Sequence, residues 1–220
     1  MSCRSNQCLY IFDRDYDNEP YRIFRLDSGG HIIRKWITGN SYGTISVTYD
    51  SNIIVAFSDR SVLKEYSDNG RLLRELVIRN EEVVNGLLHA RKLHSGLFLI
   101  AYKGALNDHS LSLVDVNGDV LKSVSETEGP GVSLNDPCFF ALDGEESILL
   151  VDRQNRRVLL FSADLERSVE LATRHKGLLY PRRVCLDEST RRMFVADNWL
   201  DFKDNTYRNG RVLVFQVKNV

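Results

Sequence analysis

The sequence predicts an all-β fold built from repeated units of about four short antiparallel strands, and three observations lead to this prediction. Apolar and polar residues alternate over short runs, which is the period of a half-buried strand. Polar turns containing Asn-Gly or Asp-Asn-Gly separate several of these runs, and glycine and asparagine adopt positive φ at little cost. The same strand-turn unit returns every 40 to 54 residues.

The third strand of each unit shows the repeat most clearly. Its last apolar residue can be aligned in five units, with separations of 40, 48, 47 and 54 residues: Leu26, Tyr66, Val114, Phe161 and Phe215. Pairs of strands recur upstream of the third strand, at 45–57, 139–152 and 184–197. Four-stranded blades at this spacing are typical of a β-propeller. We therefore predict a β-propeller of four-stranded antiparallel blades, with about five blade units in a single domain over residues 1–220.

The first and last blades are expected to be incomplete. The opening piece from Cys8 to Trp36 lacks an obvious innermost strand, and the last unit stops at its third strand. A truncated product, an isolated fragment and a five-bladed ring closed by its two ends all fit this pattern. Closure matters because an open strand edge invites pairing with other chains.

Alternation within the strands also predicts the core. We expect eight apolar side chains to be buried between blades: Phe140, Leu142, Leu150, Leu159, Phe161, Val195, Val212 and Phe215. Asp152 and Asp197 follow second strands, where a carboxylate can accept backbone N–H groups and hold a tight turn. We expect Arg157 and Arg211, at the start of the third strands, to tie neighbouring blades together.

The fourth unit carries a more specific pattern. Pro137 precedes its inner strand and Asp143 ends it, and the run that follows is Val151-Asp152-Arg153-Gln154-Asn155-Arg156-Arg157-Val158-Leu159-Leu160-Phe161. This pattern resembles the NHL repeat. The fifth unit repeats it with nine extra residues between Asp197 and Arg211. The resemblance implies a propeller that recruits a protein partner, as the propellers at the end of tripartite-motif ubiquitin ligases do, or one that binds RNA on a basic face.

Composition and the number and spacing of the cysteines limit the possible classes of protein. Lys and Arg total 29 against 30 Asp and Glu, which argues against a wholly basic nucleic-acid binder. Four cysteines without C-x-x-C spacing indicate reduced thiols. The start has no apolar signal core, and no apolar run reaches the roughly 18–20 residues that span a bilayer. We therefore expect a cytoplasmic protein with no membrane partner.

The sequence offers little catalytic chemistry. Some propellers similar to the NHL type are metal-dependent lyases or lactonase-like hydrolases, and this resemblance keeps such an enzyme as an alternative. A metal on the propeller axis needs ligands at matched positions of several blades. The five histidines do not occupy equivalent repeat positions: His31, His89, His94, His109 and His175. No G-x-S-x-G elbow is present. We therefore expect no catalytic residue, metal or cofactor.

Charge and aromatic residues point to a binding face. Residues 152–211 carry 13 Lys and Arg against 9 Asp and Glu, a net +4 in a chain of net −1. In a four-stranded blade, the loops between the second and third strands open on the same face as the loops between blades. We expect seven residues of these loops to bind a ligand: Arg153, His175, Lys176, Tyr180, Arg182, Trp199 and Lys203. Arginine and aromatic residues suit a protein partner, with RNA as the alternative; a solvated rim is the third interpretation.

Overall fold

The computed structural model describes residues 8–13, 20–79, 86–104, 109–125, 132–201 and 206–217. These residues form five small sheets, which we call blades I to V. Blade I contains β1 (Leu9–Asp13), β2 (Tyr21–Leu26) and β3 (Ile32–Gly39). Blade II contains β4 (Gly43–Val47), β5 (Ile53–Phe57), β6 (Val62–Tyr66) and β7 (Leu72–Val77). Blade III contains β8 (Leu87–Lys92), β9 (Phe98–Lys103), β10 (His109–Val114) and β11 (Val120–Val124).

Blade IV contains β12 (Pro137–Leu142), β13 (Ile148–Asp152), β14 (Arg157–Phe161) and β15 (Ser168–Ala172). Blade V contains β16 (Pro181–Asp187), β17 (Arg192–Asp201) and β18 (Thr206–Gln216). Within each sheet, strands that follow one another in sequence are hydrogen-bonded neighbours. The described residues include one short 3-10 helix, Arg174–Lys176, and none of their helices is long and apolar enough to cross a membrane. The predicted all-β fold of antiparallel blades is confirmed.

The repeat found in the sequence corresponds to one position in the blades. Leu26, Tyr66, Val114 and Phe161 each end a strand, and Phe215 lies one residue before the end of β18. In the described residues, blades I and V have three strands each and blades II to IV have four. Blades I and V thus have one strand fewer than blades II to IV in the part of the chain that the structure describes.

Carboxylates hold many of the hairpin turns. Asp27 Oδ1 accepts the backbone N–H groups of Gly29 and His31, at 2.8 and 2.9 Å. Asp115 Oδ1 accepts those of Asn117 and Asp119 in the corresponding turn of blade III, at 2.8 and 2.9 Å. Because the ionised carboxylate accepts these bonds, the pKa of Asp27 and that of Asp115 lie below the ordinary value, chiefly through the backbone bonds from His31 and Asp119.

The side chain of Asp187 plays the same part in blade V. It accepts the hydroxyl groups of Ser189 and Thr190, at 2.6 and 2.7 Å, and these bonds lower its pKa, with the Ser189 bond the larger cause. Three turns in three different blades thus depend on an ionised aspartate.

These turns predict acid sensitivity. A carboxyl group whose pKa is lower in the folded chain stabilises the fold above its unfolded pKa, and this contribution is lost as pH falls through the folded pKa. We expect urea midpoints to fall as the pH drops below about 4, and to fall less in the triple variant Asp27→Asn, Asp115→Asn, Asp187→Asn. The control is Asp50→Asn, at an exposed carboxylate that accepts no hydrogen bond within the described residues. Equal acid dependence in the triple variant and the wild type would contradict this account.

The chain contacts divide it into two compact units, Met1–Ile100 with Leu113–Leu121, and Ala101–Ser112 with Lys122–Val220. The first unit has a core cluster from blades I and II that includes Tyr10, Ile23 and Phe57. The second unit has a core cluster from blades IV and V that includes Val151, Val158 and Val195. Each unit thus has a core formed between two consecutive blades.

The predicted core is correct for most of its members. Five of the eight side chains are buried: Phe140, Leu150, Leu159, Phe161 and Val195. Leu142 and Phe215 are half-buried. Val212 is 62% exposed, so its predicted burial is wrong. Val212 and Phe215 are three residues apart on one strand and therefore face opposite sides of the sheet; the Phe215 side packs on the core of the second unit, and the Val212 side stays exposed.

Candidate functional site

Asp152 holds together one end of blade IV. It is fully buried at the end of β13, where its Oδ1 accepts the backbone N–H of Asn135 at 2.8 Å and its Oδ2 accepts Nε of Arg157 at 2.7 Å. Burial raises the pKa of Asp152, although the hydrogen bonds from Asn155, Asn135 and Arg157 oppose this shift. The carboxylate joins the segment before the inner strand to the second and third strands.

Asp197 repeats this arrangement in blade V. Its side chain accepts the backbone N–H groups of Leu179 and Tyr180, at 3.2 and 2.6 Å, and it pairs with Arg211 at 2.9 Å. Both aspartates accept backbone N–H groups as predicted, but these groups belong to the segments that lead into β12 and β16 and not to the turn after the second strand.

The two arginines act more locally than predicted. Arg157 Nη2 donates to the carbonyl oxygen of Ser133 at 2.6 Å, in the segment leading into its own blade. Arg211 donates to the carbonyl oxygen of Gly177, in the connection between blades IV and V. The expectation that Arg157 ties two neighbouring blades together is therefore wrong, since the partners recorded for it belong to blade IV and to the segment that leads into it. The pairing with the buried Asp152 holds the Arg157 guanidinium at its own blade.

Arg153 lies where the turn after β13 meets the segment before β12. Its backbone N–H donates to the carbonyl oxygen of Asp136 at 3.1 Å, and its guanidinium binds Asp136 Oδ2 at 2.5 Å. Asp136 has φ of 65°, a left-handed conformation that aspartate tolerates better than most residues. The Arg153 side chain is only 22% exposed, so the ion pair fixes the position of the guanidinium.

Tyr180 brings two arginines together. The guanidinium carbon of Arg153 lies 5.2 Å from the centre of the Tyr180 ring, and that of Arg182 lies at the same distance. Both distances are within the range of a cation–π contact. We call Arg153, Tyr180 and Arg182 the arginine–tyrosine cluster. Asp197 fixes the backbone of Tyr180 by accepting its N–H group.

A second contact of the same kind lies on the inner strands. Arg183 is exposed, and its guanidinium carbon lies 4.7 Å from the centre of the Phe139 ring in β12. A register shift between Pro181 and Arg183 places Arg182 at an irregular point of β16. With those of Arg153 and Arg182 at Tyr180, three guanidinium groups thus lie beside aromatic rings where blade IV meets blade V.

Cys138 lies close to these arginines. Its Sγ is 3.7 Å from the carbonyl oxygen of Arg182, and burial raises the pKa of its thiol to about 11. The thiol is therefore protonated at neutral pH and packs the junction of β12 and β16.

The structure unites three of the seven predicted binding residues, Arg153, Tyr180 and Arg182. His175 and Lys176 are exposed in the 3-10 helix a few residues before Tyr180, and Lys176 Nζ donates to the carbonyl oxygen of Leu171 at 2.8 Å. Lys203 lies outside the described residues, as does the side chain of Trp199.

The segment around Trp199 is not the loop predicted from the sequence. β17 and β18 continue as a hairpin past Asp197, with Trp199 opposite Arg208 and Asp201 opposite Thr206. A register shift between Asp197 and Trp199 marks where the extension begins. The nine extra residues therefore lengthen a hairpin, since β-branched and aromatic residues on both sides continue the strand pattern.

Sequence reasoning missed Asp136, Phe139 and Arg183 as members of this surface. Asp136 precedes Pro137, and a residue before proline is expected to be extended, so its left-handed conformation and its pairing with Arg153 did not follow from the sequence. Nothing in the sequence indicated that Phe139 and Arg183, which lie on the inner strands of two blades, would meet. Among the described residues, no three His, Cys, Asp or Glu side chains lie close enough together to hold a metal ion.

No protein-family model matches the chain, and no curated protein matches it. Solved structures do resemble it. A protein of unknown function from Bacteroides caccae is 16% identical, with a TM-score of 0.56 over 94% of this chain and 73% of that chain. A catalytically inactive virginiamycin B lyase from Staphylococcus aureus with quinupristin is 13% identical, with a TM-score of 0.58 over 80% of this chain and 56% of that chain.

A streptogramin B lyase structure is 10% identical, with a TM-score of 0.56 over 90% of this chain and 63% of that chain. The chain thus spans less than two thirds of the length of either lyase. At these identities the likeness shows the fold alone, and the NHL resemblance stays a prediction. By its fold, the chain is a β-propeller protein.

Proposed function

We propose that this propeller is a non-enzymatic binding module that recruits a protein partner through the arginine–tyrosine cluster. The observation that supports this most is that Tyr180 lies 5.2 Å from both Arg153 and Arg182. Arginine and tyrosine dominate the binding energy of protein interfaces. The partner chemistry that fits is an acidic segment, because guanidinium groups bind carboxylates with two parallel hydrogen bonds.

The cluster is held in place before any partner arrives. Asp136 pairs with Arg153, and Asp197 binds the backbone of Tyr180. Side chains that are already ordered lose less entropy on binding, which favours affinity. Since Asp136 neutralises Arg153, Arg182 and Arg183 supply the net positive charge for the partner.

RNA is the less favoured ligand. A base must stack on an aromatic ring, and two guanidinium groups already contact the ring of Tyr180. The excess of +4 over residues 152–211 is also small for a surface that follows a phosphate backbone. A role in substrate recognition by a ubiquitin ligase is supported by the NHL resemblance alone.

The proposal predicts how binding responds to substitution. The probe is a fluorescent peptide of alternating Glu and Tyr, measured by anisotropy against the chain. We expect Arg182→Ala and Tyr180→Ala each to weaken binding about 10- to 30-fold, or about 1.4 to 2 kcal/mol, as interface hot spots do. The matched control is Arg192→Ala, at an exposed arginine near the far end of blade V, which should change binding less than twofold.

Three outcomes would contradict the proposal. Equal effects of Arg182→Ala and Arg192→Ala would show that the peptide responds to net charge alone. Tighter binding to a single-stranded RNA of equal charge, with a salt slope that falls by about two in Arg153→Ala, Arg182→Ala, would favour the RNA alternative. Loss of quinupristin on incubation with the chain would favour a lyase.

A further inference from the structure

Blades IV and V line an open cavity of about 680 Å³ in the second unit. It lies near the turn between β12 and β13, at the other end of those strands from the arginine–tyrosine cluster. Apolar side chains from both blades line it: Leu149, Leu160, Val169, Leu171, Leu186 and Val217. The volume is within the range of about 300–1,000 Å³ that ligand pockets occupy.

The corresponding space between blades II and III contains a polar cluster. Glu65, the residue before the end of β6, is only 5% exposed. Its Oε1 accepts Nζ of Lys92 in the next inner strand at 2.9 Å, and Nδ2 of Asn52 at 3.0 Å. Arg74, which is exposed, is the residue opposite Glu65 in the register of β6 and β7. A buried carboxylate is tolerated here because a cation and an amide satisfy it.

The register of the strands identifies the equivalent positions in blades IV and V. Leu160 precedes the end of β14 and so takes the place of Glu65, and Val169 pairs with Leu160 in the place of Arg74. Leu186 precedes Asp187, which opens its turn as Leu93 does, and so takes the place of Lys92. Ser147 closes its turn as Asn52 does.

All four replacements therefore line the cavity. Four polar or charged side chains in one pair of blades correspond to three apolar side chains and one serine in the other pair. The shorter side chains leave the space open where Glu65 and Lys92 fill it. At this position of the repeat, blades IV and V therefore have an apolar concave surface where blades II and III have the Glu65–Lys92 ion pair.

The mouth of the cavity carries charges of both signs. The lining includes three carboxylates, Asp143, Glu145 and Glu188, and two arginines, Arg167 and Arg191. The turns of the two blades approach closely, since a Cβ built on Gly144 would lie 2.9 Å from Glu188 Oε2. A charged ligand would meet charges of its own sign here, whereas a neutral ligand would not.

We infer that the cavity between blades IV and V binds a small, neutral, mainly apolar molecule, with Leu160 and Leu186 as its central contacts. The serine hydroxyls of the lining, including that of Ser147, supply polar contacts for a ligand of this class. The inference is independent of the arginine–tyrosine cluster, because the two sites share no residue.

The test uses the neutral dye Nile red, whose fluorescence rises in apolar surroundings. We expect saturable binding of one dye per chain. The double variant Leu160→Glu, Leu186→Lys rebuilds the ion pair of blades II and III, and it should weaken binding at least tenfold. Leu186→Trp fills the cavity without adding charge and should have the same effect, so the result does not depend on the folding of the double variant. Circular dichroism checks the fold of both.

The control is Val212→Ser, Val214→Ser, which removes the exposed apolar residues of β18 and should leave dye binding unchanged. Dye binding that persists in both cavity variants, or that is lost in the control, would overturn the inference by placing the dye on an exposed strand. Absence of saturable binding to the wild-type chain would overturn it as well. Tighter binding of the anionic dye 8-anilinonaphthalene sulfonate at the same cavity would contradict the neutral ligand class.

Discussion

Replacing Phe161 with alanine is expected to lower the free energy of unfolding by about 3 to 5 kcal/mol. The Phe161 ring is fully buried at the end of β14, in the middle of a four-stranded blade. Truncation leaves a void that the surrounding strands fill only in part, so the loss includes both the transfer of the ring and the cavity. Urea denaturation followed by circular dichroism measures the change as a shift in midpoint at constant slope.

Phe215→Ala is the matched comparison, because Phe215 takes the same repeat position in blade V but is only half-buried. Its loss is expected to be about 1 to 2 kcal/mol, since less area leaves water on folding. Equal losses for Phe161 and Phe215 would show that the two blades are covered to the same extent. That result would contradict the partial exposure of Phe215.

Asp197→Ala is expected to cost about 3 to 5 kcal/mol of unfolding free energy. Asp197 is fully buried, and its removal leaves the N–H groups of Leu179 and Tyr180 and the guanidinium of Arg211 without their acceptor. Most of this cost comes from the two backbone N–H groups, which lose their acceptor, because the Arg211 side chain is 40% exposed and can be solvated. The control is Glu170→Ala, at an exposed carboxylate 3.6 Å from Arg157, which should cost about 0 to 1 kcal/mol.

A double variant separates the ion pair from the backbone bonds. If Arg211 were the main partner, Asp197→Ala combined with Arg211→Ala would be little worse than Asp197→Ala alone. Since Asp197 also holds the backbone of Tyr180, its removal should weaken binding of the acidic peptide as well. A stable Asp197→Ala chain with unchanged peptide binding would contradict the link between this carboxylate and the arginine–tyrosine cluster.

Local chemistry made much of the fold predictable. The period of two, the Asn-Gly and Asp-containing turns and the recurring third strand follow from short-range rules, and they predicted the antiparallel blades. Arg153, Tyr180 and Arg182 were predicted to lie together because loops from adjacent blades open at one end of the strands. The pairing of Arg153 with Asp136 depends on side-chain geometry that the sequence does not show.

What the sequence by itself determined is therefore the all-β class, the blade repeat and the turn chemistry, because each depends on residues close together along the chain. Only the tertiary structure decided which faces are covered. It showed that Val212 is exposed while the equivalent Val158 is buried, because a blade packs on the Val158 side and the described residues leave the Val212 side open. It also revealed the cavity at Leu160 and Leu186, since these residues are 26 positions apart and meet only when one blade packs against the next.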